Sequence, residues 1–120
     1  MAALARANQF LCDELYDLAL AAYGSALDEE KSAAAFSGRA ALYLRSERYT
    51  AALQDTNSAL AMDPTCEPAM YRKGLACFQL DEFETALDSF SKGLAALGGD
   101  TAAVESRKYR MWIRKCEAEM

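Results

Sequence analysis

Ala69 to Gly93 reads AMYRKGLACFQLDEFETALDSFSKG, two amphipathic halves around the short polar turn LDEF. In the first half Met70, Leu75, Ala76 and Phe78 are apolar; in the second, Phe83, Ala86, Leu87 and Phe90 fall at i, i+3, i+4 and i+7, the period of a helix with one buried face. Two helices back to back are predicted. The small residues Gly74 and Ala86 are expected to face one another, because a helical hairpin with so short a turn needs its backbones close where they pack. One such hairpin cannot hide its apolar faces alone.

Repetition solves that problem. YDLALAAYGSAL (Tyr16 to Leu27), YTAALQDTNSAL (Tyr49 to Leu60) and FETALDSFSKGL (Phe83 to Leu94) share one plan. Each opens on an aromatic residue, then carries Ala19, Ala52 or Ala86, then Leu20, Leu53 or Leu87, and seven places beyond the alanine Ala26, Ala59 or Gly93. A period of about 34 residues with small residues at the crossings resembles tetratricopeptide repeats. The resemblance implies an all-α fold: a right-handed superhelix of three tetratricopeptide (TPR) helical hairpins plus a C-terminal capping helix, seven helices in a single domain over residues 1–120. Repeat 1 is expected over about 1–31, repeat 2 over about 32–65, repeat 3 over about 66–99 and the capping helix over about 101–118.

Along the chain, the first helix is expected from Ala2 to Leu11, with Ala7 and Phe10 inward, and its partner from Tyr16 to Asp28. DEEKSA then returns the chain without the proline that commonly closes such a repeat. Ala33 to Arg45 follows with Phe36, Ala40 and Tyr43 inward, then Tyr49 to Met62, stopped by Pro64, which disfavours helix at Asp63. Thr56 stands where Tyr23 and Phe90 stand in the other repeats, which should loosen the middle hairpin. Gly98 and Gly99 end a helix, and Asp100 or Thr101 is available to cap the last one. There Tyr109, Trp112, Ile113 and Cys116 form one apolar stripe, with Arg107, Arg110, Arg114 and Lys115 mostly off it, as an array's closing helix requires.

Composition narrows the function. The 120 residues are 52% hydrophobic and carry a net charge of −5, which suits a buried core and argues against nucleic acid. No apolar run is long enough to span a bilayer, and MAALARANQF, with Arg6 and Asn8 inside it, makes a poor signal peptide, so a cytoplasmic or nuclear location without membrane is expected. Cys12, Cys66, Cys77 and Cys116 form no C-x-x-C pair and histidine is absent, so no metal, cofactor or enzymatic role is expected, and the thiols should be reduced and mostly buried. Such arrays offer partners a concave face lined by the first helix of each pair. Here the groove is expected to carry Leu4, Asn8 and Leu11; Ser37, Gly38, Ala41, Leu44 and Arg45; and Tyr71, Arg72, Leu75 and Phe78. Arg45, Tyr71 and Arg72 are the strongest candidate anchors.

Many tetratricopeptide co-chaperones hold the C-terminal Glu-Glu-Val-Asp tail of heat-shock proteins 70 and 90 with a clamp of Lys, Asn, Asn, Lys and Arg. The clamp places fall on Leu4, Asn8, Gly38, Pro68 and Arg72, of which only Asn8 and Arg72 match, so clamp-type binding of that tail is the alternative rather than the leading expectation. The degenerate clamp and the closing helix YRMWIRKCEAEM, above all Trp112 to Cys116, resemble the N-terminal domain of the Sgt-one family, suppressor of the G-two allele of Skp. That resemblance implies a non-enzymatic adaptor linked to heat-shock protein 90 and Skp-containing ubiquitin ligases. Its implied partners are a Skp-type adaptor, chaperone machinery and client receptors, with a homodimer as a further arrangement. The chain is expected to be a truncation of something longer, since members continue into further domains.

Overall fold

The structure, a computed structural model, describes residues 2–98 and 104–120. It is helical throughout: α1 (Ala2–Cys12), α2 (Tyr16–Glu29), α3 (Ala33–Arg45), α4 (Tyr49–Met62), α5 (Glu67–Gln79), α6 (Phe83–Ala96) and α7 (Val104–Glu119). The helices pack as hairpins α1–α2, α3–α4 and α5–α6, each stacked on the next, with α7 closing the row against α6. The expected caps Asp100 and Thr101 lie outside the described residues.

Each hairpin turns by the same device. At the end of α1 the Leu15 amide donates to the Phe10 carbonyl at 2.9 Å and the Glu14 amide to Leu11 at 3.1 Å. Arg48 and Glu47 repeat this pair of bonds on Tyr43 and Leu44, and Glu82 and Asp81 repeat it on Cys77 and Phe78. These are Schellman motifs, which satisfy orphan carbonyls by placing one residue in the left-handed region. That residue is Glu14, Glu47 and Asp81, with φ of 60°, 60° and 61°. None is glycine, so each turn carries a strain on the order of 1 kcal/mol. Between hairpins, Ser32 caps α3 by accepting the Ala35 amide at 3.1 Å, which replaces the missing proline as the boundary signal.

Ala19, Ala52 and Ala86 are fully buried, as the repeat plan requires. What sits over Gly74 differs from the expectation: a Cβ there would lie 2.5 Å from the Phe90 ring, so the nearest neighbour is an aromatic ring and not Ala86. The same arrangement recurs where Tyr23 lies over Gly38 and Tyr109 over Gly93, at 2.7 and 2.5 Å from the missing Cβ. Small residues therefore make room for rings as well as for backbones. Thr56, the odd one out among Tyr23 and Phe90, is also fully buried and turns its hydroxyl to the Leu53 carbonyl at 2.9 Å. Beside it Asp55, only 4% exposed, takes a two-pronged ion pair from Arg39 at 2.7 and 2.8 Å, which ties α3 to α4.

The cysteines correct another expectation: all are free thiols, but only Cys77 and Cys116 are buried, while Cys66 is half-buried and Cys12 exposed. Burial, assisted by the nearby Glu82, pushes the Cys77 thiol from its ordinary value of 9.0 up to about 11. Between these values the unfolded chain ionises Cys77 while the folded chain keeps it neutral. Stability is therefore complete below pH 9 and falls, by on the order of 2 kcal/mol, as pH rises toward 11. Burial also raises the Tyr23 and Tyr71 phenols, which acts in the same direction above pH 10. We expect the urea midpoint to drop between pH 8.5 and pH 10.5, and to drop less in Cys77→Ala; a flat midpoint would contradict this burial.

Candidate protein-binding cleft

The first helices of the three hairpins enclose a cleft of about 530 Å³. Asn8 and Leu11 come from α1, Ser37, Gly38, Ala41 and Arg45 from α3, and Arg72 from α5, all at helical spacing on one face. Tyr23 reaches this cleft from α2 through the space left by Gly38, and its hydroxyl donates to Asn8 Oδ1 at 2.6 Å.

Of the twelve groove residues named from the sequence, the structure brings Asn8, Leu11, Ser37, Gly38, Ala41, Arg45 and Arg72 together here. Leu4 lines a separate hollow of about 180 Å³ with Ala26 and Ala35. Leu44 is half-buried and does not line the cleft. Tyr71, Leu75 and Phe78 instead pack into the cluster under α7: Tyr71 meets Tyr109 edge-on at 5.1 Å and accepts the Trp112 indole N–H at 3.0 Å, and Phe78 meets Trp112 at 5.1 Å. The reason is α7 itself, which lies against the last hairpin and covers the α5 residues that would otherwise extend the groove. Sequence reasoning missed Cys12, Tyr23, Asp63 and Cys66 as lining residues. Only the close pairing of Tyr23 with a glycine in the next helix could have signalled one of them.

The electrostatics of the cleft centre on two arginines. Arg72 Nη1 donates to the Ser37 carbonyl at 2.9 Å and to Ser37 Oγ at 2.6 Å, binding α5 to α3. Arg45 Nη1 donates to the Leu11 carbonyl at 3.0 Å, where a cation complements the end of the α1 dipole. Burial lowers the affinity of Arg72 for its proton, the Tyr23 phenol and Glu67 work against that, and Arg45 adds to it. Among the described residues no carboxylate comes within 4.0 Å of either guanidinium. The arrangement is a concave cleft with two cations on its wall.

Among known proteins, no family model matches the chain. It is 31% identical over 97 residues to a protein SGT1 homolog of Oryza sativa subsp. japonica, a match covering 80% of this chain and 26% of that protein. The Sgt2 TPR domain of Aspergillus fumigatus superposes with a TM-score of 0.86 at 24% identity, over 98% of this chain and 76% of that one. The chain has the tetratricopeptide-repeat fold. The TPR2B domain of yeast Sti1, in its pHsp70 complex, gives a TM-score of 0.88 at 19% identity over the whole of both chains. This tetratricopeptide-repeat domain thus spans about a quarter of the length of its rice relative. Among its described residues no helix is long and apolar enough to cross a membrane.

Proposed function

We propose that the domain is the non-enzymatic adaptor module of an Sgt-type co-chaperone, cytoplasmic or nuclear, whose cleft receives a segment of a partner protein. Repeats 1, 2 and 3 each contribute one wall helix. The observation that carries this reading is the convergence of Asn8, Arg45 and Arg72 from α1, α3 and α5 on one cleft, with neither guanidinium paired to a carboxylate of the domain's described residues. The likeness to the rice SGT1 homolog supports the Sgt-type reading, and with that reading goes a link to Skp-containing ubiquitin ligases and to heat-shock protein 90. The test is retention of a purified Skp-type adaptor, of heat-shock protein 90 or of a client receptor on the immobilised domain. Retention of at least one, reduced about tenfold in Arg72→Ala, is expected; retention of none contradicts the reading.

A second reading, a clamp for the Glu-Glu-Val-Asp tail, is favoured by the presence of Asn8 and Arg72 in that same cleft and by the pHsp70 complex of the yeast domain. Against it, Leu4 faces another hollow and Gly38 and Pro68 supply no side-chain donor. Calorimetry with the tail peptide separates the two: micromolar binding lost in Arg72→Ala selects the clamp. Pairing with a second copy is a further arrangement, and light scattering of the free domain reads it directly.

A further inference from the structure

Asn8, Tyr23, Arg45 and Arg72 form a smaller constellation within the cleft, with its own chemistry. The Tyr23 hydroxyl occupies Asn8 Oδ1 at 2.6 Å, so the exposed Asn8 side chain presents its amide N–H donors to the cleft. Arg72 spends Nη1 on the two oxygens of Ser37 and Arg45 spends Nη1 on the Leu11 carbonyl, which leaves the other donors of each rigid fork for a ligand. Arg45 lies close enough to Arg72 to disfavour its charge. Of the acids nearby, Asp63 on the cleft wall is exposed and accepts from the Thr65 amide at 3.0 Å and the Thr65 hydroxyl at 2.7 Å. Glu67 accepts from the Tyr109 hydroxyl at 2.6 Å. Glu67 favours the charge of Arg72 from a distance, and neither acid forms an ion pair with an arginine of the cleft.

Resting on the reading that a partner's segment enters this cleft, we propose that these residues receive one phosphoryl group, carried on a phosphorylated serine or threonine of that segment. A phosphomonoester brings nearly two negative charges and three acceptor oxygens to one point, which matches two guanidinium forks and one amide. Two separated carboxylates would need a second set of donors. That set is missing, and at Gly38 it has no space, because a Cβ would lie 2.7 Å from the Tyr23 ring. Tyr23 acts as a positioning residue: it holds the Asn8 amide and shapes the pocket floor without supplying charge.

The test is a titration of the isotopically labelled domain, in phosphate-free buffer at pH 7, with acetyl-Gly-phosphoserine-Gly-amide, its serine and glutamate counterparts, and inorganic phosphate. The phosphopeptide is expected to shift the Arg45 and Arg72 Nε–H and Asn8 side-chain amide signals saturably, and to bind about tenfold more tightly than the glutamate peptide. Arg45→Gln, whose residue is exposed and outside the core, should weaken it about tenfold, and Tyr23→Phe about threefold. Equal binding of the serine or glutamate peptide or of inorganic phosphate, shifts confined to other residues, or indifference to Arg45→Gln would overturn the proposal. If the phosphopeptide fails while the domain still retains a protein partner, the phosphoryl site falls and the adaptor reading stands; if neither is retained, both fall.

Discussion

Phe90→Ala is expected to destabilise the domain by about 3–5 kcal/mol, because the ring is fully buried at the junction of the last hairpin and the closing helix. Its ring fills the space over Gly74, meets Tyr71 edge-on at 5.8 Å and Tyr109 at 6.2 Å, and stacks on Trp112 at 5.7 Å with the planes 15° apart. None of these neighbours can follow an alanine inward, since Tyr109 is itself wedged over Gly93 and anchored to Glu67. The loss should be local. In a stacked array each hairpin contacts only its neighbours, so α5, α6 and α7 should melt before α1 to α4. Thermal unfolding followed by Trp112 fluorescence and by circular dichroism checks this: the fluorescence transition is expected first, and coincident, unshifted transitions would contradict it.

Ala86→Trp is expected to cost about 3 kcal/mol or more, and to unfold the last hairpin together with α7 under conditions where the native chain is stable. Ala86 is fully buried in the same cluster as Phe90, Cys77 and Tyr109. That cluster is closed by α7 through Tyr109 and Cys116, so an indole has nowhere to go without parting α5 from α6. A conservative control, Ala86→Gly, should cost only about 1 kcal/mol through helix propensity. The measurement is the melting temperature of both variants; an unchanged value for the tryptophan variant would mean that these helices do not cross at Ala86.

The fold was legible because the repeat imposes the same small residues at every crossing. Ala19, Ala52 and Ala86 could be placed from the repeat alone, α3 and α4 span the residues expected of them with α4 ending before Pro64, and Tyr109 and Cys116 mark the buried stripe of α7. Periodicity reports a face, not what covers it. That is why Gly74 was matched with Ala86 when the Phe90 ring reaches it first, and why Tyr71, Leu75 and Phe78 read as groove when α7 claims them. Leu42, only 2% exposed, escaped notice for the same reason, since it packs toward the preceding hairpin. The left-handed turn residues were hidden by chemistry: Glu14, Glu47 and Asp81 do not announce a conformation that glycine usually takes. In the cleft, Arg45 and Arg72 were visible by type and spacing, whereas the part played by Tyr23 depends on Gly38 in the next helix, a pairing across hairpins that no local pattern encodes.

Partners are expected to occupy the cleft between α1, α3 and α5. Hydrogen exchange of the domain alone and with a retained protein partner tests it most directly. Slowed exchange over the described stretches 8–12, 37–45 and 66–72, with α2 and α4 unchanged, is the predicted result. Protection confined to α2, α4 and α6, with that cleft exchanging as in the free domain, would contradict it.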